Sequence, residues 1–378
     1  MARPTLHEIA RALEAWAPPA TAQSYDNVGL QVGDPEREVS RAVVALDLTP
    51  AVVEEARRLD ATLVVTHHPL IFRPLKRVTA QGWSGALALR LAEAGIALYS
   101  IHTNLDAAPG GVSFALAEQL GLGDVRFLDR FEETLYKLAT FVPPEQADAV
   151  RAALAEAGAG RIGAYDACAF AVEGTGYFRP GAGADPAIGT AGGPLEAVRE
   201  VRLEVEVDRW ALDAVLAALA AAHPYETPAY DVYPVRQRGT HAGLGAVGRL
   251  ERPETLAAFL RRVAERLGAR GLRYTGDPNA AVRTVAVCGG SGSDFIPQAL
   301  RAGADAYVTA DVTYHKFFDV LDASGRPRMA LIDAGHYETE AVTEQLLTDW
   351  LAERFPSVAW QRTSVRTSPV AFHAFEET

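Results

Sequence analysis

The sequence predicts a layered α/β fold interrupted by a smaller α+β unit. Three observations carry that prediction. Strand and helix patterns alternate through the first third of the chain, the alternation resumes in the last third, and the middle instead runs β-α-β, loop, β-α-β. Apolar runs without polar alternation, such as VVAL and LVV, suit strands buried on both faces. At 378 residues, 49% apolar and 22% charged, the chain has the composition of a globular protein with two or three domains.

Taken in order, Leu6, Ile9, Ala10, Leu13 and Trp16 recur at helical spacing and predict an N-terminal amphipathic helix. RAVVALDL (41–48) is strand-like, and PAVVEEARR is helix-like with Pro50 in the first turn. ATLVVTHH is a strand, SGALALRLAEAG a helix closed by Gly95, IALYSIHT a strand and VSFALAEQLG a helix. The middle holds YKLATFV, the helix PEQADAVRAALAEAG and ACAFAVEG. A Gly/Pro-rich stretch separates these from EVRLEVEV, the helix WALDAVLAALAAA and AYDVYPV. That outline is ferredoxin-like. RQRGTHAGLGAVG then reads as a return linker, so residues ~134–237 read as a domain inserted into a loop of the outer one. Three consecutive domains are the alternative. In the last third TVAVCGGSGSDF is a strand entering a glycine-rich turn, and ADAYVTAD, MALIDAGH and SVAWQRT are further strands.

The net charge of −12 argues against a nucleic-acid binder, which needs a basic face for phosphates. The two cysteines, Cys168 and Cys288, have no zinc-like spacing and form no disulfide framework, so the reducing cytoplasm is expected. No stretch offers the ~18 uninterrupted apolar residues of a membrane span.

Three segments concentrate potential metal ligands, each directly after a predicted strand, where open α/β sheets place ligands. The first is His67-His68 in VVTHHPLIF. Neighbours in a regular strand point to opposite faces, but the pleat breaks at a strand end, and Pro69 restrains the backbone of His68. Alone, the pair also suits one core histidine beside one solvated one. The second is YSIHTNLDAAPGG, with His102 and Asp106; alone, Asp106 also suits a helix cap or an Asx turn. The third is LIDAGHYETE, where His336 and Glu340 fall one turn apart on one helical face; an exposed Glu and an incidental His are the plain alternative. Together His67, His68, Asp106, His336 and Glu340 could hold two divalent ions, and Zn, Mn or Fe suits such mixed ligands. Two ions could lower the pKa of a bound water and supply a nucleophile near neutral pH. Around them, SYDNVGLQVGD could wall a pocket, CGGSGSD could cradle a phosphate, and TADVTYHKFFD offers Asp311 and His315 as acid–base or substrate-contacting groups. HPYE (223–226) reads as structural or interfacial.

SYDNVGLQVG, VVTHHPLIF, YSIHTNLDAAPGGV, VTADVTYHKFFD and DAGHYETE, in this order, resemble the Nif-three-like family, whose members carry the label type 2 GTP cyclohydrolase I homologues. The resemblance spans nearly the whole chain. The middle segments GAGRIGAYDACAF, GTGYFRP and AAHPYETPAYDVYPV are similar to the PII-like or CutA-like insertion of the longer bacterial members. Ala310 departs from the pattern, which more often has Gly before this Asp. The resemblance implies a Nif-three-like layered α/β domain in two parts, 1–133 and 238–378, around an inserted domain at 134–237. It implies a dinuclear metal centre on His67, His68, Asp106, His336 and Glu340, in homohexamers built as trimers of dimers. The implied activity is hydrolytic opening of the GTP imidazole ring with formate release, for which His315 or His102 would move protons. A non-catalytic metal-binding regulatory protein or metal chaperone is the alternative; the polar set Tyr25, Asp26, Asn27, Asp311 and His315 favours the enzyme.

Overall fold

The computed structural model describes residues 3–132, 134–236 and 241–373. The chain packs as two compact units, Met1–Asp129 with His241–Thr378, and Arg130–Thr240.

The first unit contains two sheets. One has the order Gly29–Val32, Ala97–Ser100, Leu63–Thr66, Arg41–Ala45, Ala359–Arg362. Its last four strands run parallel, and Gly29–Val32 pairs antiparallel at the edge. The central strands are buried on both faces, as their unbroken apolar runs require. The helices between them start and stop where local chemistry dictates. Thr5 and Glu8 form a capping box on Leu6–Trp16, Thr49 caps Pro50–Arg58, and Gly95 closes Trp83–Ala94 in a left-handed conformation.

The second sheet has the order Arg273–Tyr274, Ala330–Asp333, Ala306–Ala310, Ala281–Ser291, Gly243–Thr255, Gly123–Arg130. Ala330–Asp333, Ala306–Ala310 and Ala281–Ser291 are parallel, flanked by antiparallel Arg273–Tyr274 and Gly243–Thr255. Helix Val112–Gln119 joins the cores of the two sheets. Val112 packs with Leu347 and Leu351 on the first, and Leu116 and Ala117 pack with Val285 and Val308 on the second.

The stretch read as a return linker needs correction. From Gly243 it is already a long strand, with residues 237–240 outside the described set. Its ladder with Ala281–Ser291 breaks between Arg249 and Glu254, the interval that contains Pro253, which has no N–H to donate.

The second unit is a four-stranded antiparallel sheet in the order Ala169–Phe178, Glu196–Asp208, Leu135–Val142, Tyr230–Pro234. Helices Ala147–Glu156 and Leu212–Ala222 supply Val150, Leu154, Val215 and Leu219 to a core with Leu138, Val142, Leu203 and Val205. Among the described residues no helix is long and apolar enough to cross a membrane.

Candidate metal centre

All three ligand-rich segments converge in the first unit. His67 and His68 follow strand Leu63–Thr66, and their rings lie 5.0 Å apart rather than on opposite faces, because the strand has ended. His102 and Asp106 begin and end the turn of helix after strand Ala97–Ser100. His336 and Glu340 lie on the short helix His336–Glu340 after strand Ala330–Asp333 of the other sheet. Two ligand-like groups result, His67 with His68 and His102, and His68 with His336 and Glu340, the donor atoms within each group lying inside 4.8 Å of one another. His68 belongs to both.

The tautomers follow from what each Nδ1 meets. His67 Nδ1 is 2.8 Å from the Ile101 carbonyl, His68 Nδ1 2.7 Å from Asp47, His102 Nδ1 2.9 Å from Asp26 and His336 Nδ1 2.7 Å from Asp311. Each acceptor draws the ring proton to Nδ1 and leaves a lone pair on Nε2. The Nε2 atoms of His68 and His336 are 3.4 Å apart, and each lies 3.0 Å from Glu340 Oε2. His67 Nε2 is 3.8 Å from Asp106 Oδ1 and 3.9 Å from Glu340 Oε1. Both His67 Nε2 and Glu340 Oε2 are buried without a hydrogen bond of proper geometry. Buried acceptors facing other acceptors are costly unless a cation lies among them, so the donor set fits divalent metal ions.

A sequence profile of the Duf34/NIF3 family (NGG1p interacting factor 3) matches residues 4–369. The chain belongs to this family. A Bacillus subtilis relative named "GTP cyclohydrolase 1 type 2 homolog" is 41% identical over 338 residues, 89% of each chain. A Mycobacterium tuberculosis relative of the same name is 43% identical over 339 residues, 89% of this chain and 88% of that one. Among solved structures, a Bacillus cereus protein related to NIF3 superposes with a TM-score of 0.84 at 38% identity, over 99% of this chain and 100% of that one.

Electrostatics in this NIF3-family site divide the groups sharply. Burial pulls the His67 imidazole down to about 3. Burial opposes the charged forms of His68 and His336 too, but Asp47 and Glu340 lift the first to about 10, and Glu340 and Asp311 lift the second to about 9, so each ring carries an Nε2 proton toward Glu340 that a divalent ion would have to displace. Burial, reinforced by Glu340, pushes the Asp106 carboxyl well above its usual range. Glu340 is held well below its own range because the two histidines outweigh its burial.

The other predicted residues are placed as follows. Asp311 has a positive φ of 53° and aims its carboxylate at His336, so it orients a donor rather than standing alone. His315 is exposed on the turn Tyr314–Phe318, with ring contacts to Tyr314 and Phe318, and it is outside both donor groups. SYDNVGLQVGD does wall the site. Asp26 holds His102 and accepts from Thr103 N, Asn27 donates to the Ile71 carbonyl, and Tyr25 meets Phe72 edge-on at 6.1 Å. The phosphate-cradle reading of CGGSGSD does not hold for two of its amides, because Gly290 N donates to Thr339 and Gly292 N to Thr309. Its glycines make room instead: a Cβ on Gly290 would lie 2.2 Å from Glu340 Oε1. Sequence reasoning missed Asp47, which binds His68 and accepts from the Thr367 hydroxyl at 2.6 Å. The available signal was an acid just past the end of strand Arg41–Ala45, the same position that marked the ligands.

Proposed function

We propose that this chain is a dinuclear metal-dependent hydrolase acting on a nucleotide-like substrate, with GTP, through the cyclohydrolase name of its relatives, as the first candidate. The observation that carries the reading is the convergence of Nε2 lone pairs and buried carboxylate oxygens, each imidazole fixed through Nδ1. In this reading His67, His68, Asp106, His336 and Glu340 would hold two divalent ions, Zn, Mn or Fe. Such ions supply Lewis acidity and make a bound water more acidic. The chain's own groups do the rest. Asp47 and Asp311 keep the tautomers of His68 and His336, and the burial of His67 keeps it neutral. His102, backed by Asp26, faces the same space and is placed to carry a proton. Phe72 lies 6.3 Å from the His102 ring and continues to exposed Tyr25, a rim suited to stacking a flat base.

The same reading takes Arg130–Thr240 as a ferredoxin-like insertion of PII or CutA type, supported by two helices on an antiparallel sheet with chain-order 4-1-3-2. It takes the assembly as a homohexamer, which light scattering on the purified protein would test. The function itself is tested by incubating metal-replete protein with GTP and assaying formate, beside His67→Ala. Formate release lost in that variant supports the proposal. Stoichiometric metal with no turnover of GTP or other nucleotides returns the chain to a metal-binding regulator or chaperone.

A further inference from the structure

The second unit contains a cavity of about 660 Å³, within the range of small-molecule sites. It lies on the sheet face that carries no helices. Leu203, Val205 and Val207 pack in the core with the helices, so by alternation Glu200 and Arg202 point the other way. Gly174 pairs with Glu200 across the sheet, and Gly176 lies two residues on, on the same face. The missing side chains leave a hollow floor. A Cβ at Gly174 would meet nothing within 4 Å, whereas one at Gly176 would lie 2.0 Å from Glu200 Oε2. Phe141, Phe178, Pro180, Ile188 and Tyr225 supply apolar walls. The wall carrying Pro186 and Ile188 is tied down where Asp185 N donates to Glu226 at 3.0 Å. The HPYE segment thus builds this cavity.

Its chemistry is set by Glu200, a carboxylate only 8% exposed. Tyr225 donates its hydroxyl to Oε1 at 2.9 Å. Among the described residues no cation pairs with Glu200. Arg202 bonds Glu204 and lies over the Phe141 ring, Arg199 bonds Glu173, and both nitrogens of His223 are spent on Phe141 O and Tyr225 N. A buried carboxylate with one neutral donor is under-compensated, and a ligand N–H⁺ would complete it. We propose that this cavity binds a small organic cation, an amine or amidine on a flat apolar body, with its charge on Glu200 and its body against the aromatic walls. The site stands independently of the metal centre.

The test uses the full-length, metal-loaded protein and benzamidine as probe, with benzamide and benzoate as neutral and anionic isosteres, read by calorimetry. The structure predicts saturable benzamidine binding at one site per chain at millimolar concentration. It predicts a loss of about tenfold or more in Glu200→Gln, the scale of a charged hydrogen bond, and the same loss in Gly174→Leu, which fills the floor but keeps the acid. Circular dichroism confirms folding, and the wild-type preference for benzamidine over benzoate needs no variant. Absence of saturable binding, equal binding of benzoate, or undiminished affinity in Glu200→Gln overturns the proposal.

Discussion

Removing Asp47 should loosen the metal centre without touching a ligand. Its Oδ1 lies 2.7 Å from His68 Nδ1, and its Oδ2 is held by Thr367, so the carboxylate fixes both the orientation and the tautomer of the ring shared by the two donor groups. In Asp47→Ala the His68 ring can rotate, and its proton can move to Nε2, which removes the lone pair. Comparable second-layer deletions weaken metal binding by about 10–100-fold, or ~1.4–2.7 kcal/mol. Asp47→Asn should fall between wild type and alanine, because an amide oxygen still accepts from Nδ1 but carries no charge. The assay is competition for Zn against a chromophoric chelator. Asp34→Ala serves as control, since Asp34 caps a surface turn away from the donors. Asp47→Ala affinity within about twofold of wild type, or a loss matched by Asp34→Ala, would refute the reasoning that Nδ1 contacts set the site.

Other consequences follow from single residues. Gly290→Ala would drive a Cβ into Glu340 at a backbone φ of 57°, so metal affinity should fall by about tenfold or more; unchanged affinity would show that Glu340 is dispensable. Burial pushes the Cys288 thiol up to about 12, so a disulfide reagent should titrate only Cys168 in the native protein and both thiols in denaturant. Two fast native thiols would contradict this. Burial also lifts the Glu344 carboxyl to about 7 from 4.5. Between those values the native state binds the proton more tightly than the unfolded chain, so stability is lost as pH rises through the window. Glu344→Gln, which keeps an acceptor for Leu46 N, should therefore gain on the wild type by on the order of 2–3 kcal/mol between about pH 5 and pH 8. Urea melts at equal metal loading measure it, and a difference flat with pH counts against it.

Much of this was legible because local rules and tertiary placement agreed. Pro50, Gly95 and the apolar runs fixed where helices and strands begin and end. The position just past a strand end, applied three times, led to His67, His68, His102, Asp106, His336 and Glu340. What escaped depended on contacts between distant segments. Asp47 matters only because the chain returns at Thr367 and His68 to meet it. The glycines of CGGSGSD look like a phosphate loop until Glu340 and Thr339, some fifty residues on, occupy the space and the N–H groups. Strand Gly243–Thr255 hid behind glycines at its start and Pro253 near its end, and it is held extended by pairing with Ala281–Ser291 on one side and Gly123–Arg130 on the other. The cavity at Glu200 was equally invisible, since its walls come from four separate stretches.

On the proposed reading, three imidazoles, those of His67, His68 and His336, are each fixed through Nδ1 so that Nε2 can bind, and they hold two metal ions with Asp106 and Glu340. Elemental analysis by mass spectrometry of protein reconstituted with Zn, Mn or Fe, and then freed of excess metal, tests it most directly. Two equivalents per chain are expected, falling to one or fewer in His68→Ala, because His68 belongs to both donor groups. Well under one equivalent in the reconstituted wild type, or two equivalents retained in His68→Ala, would contradict it.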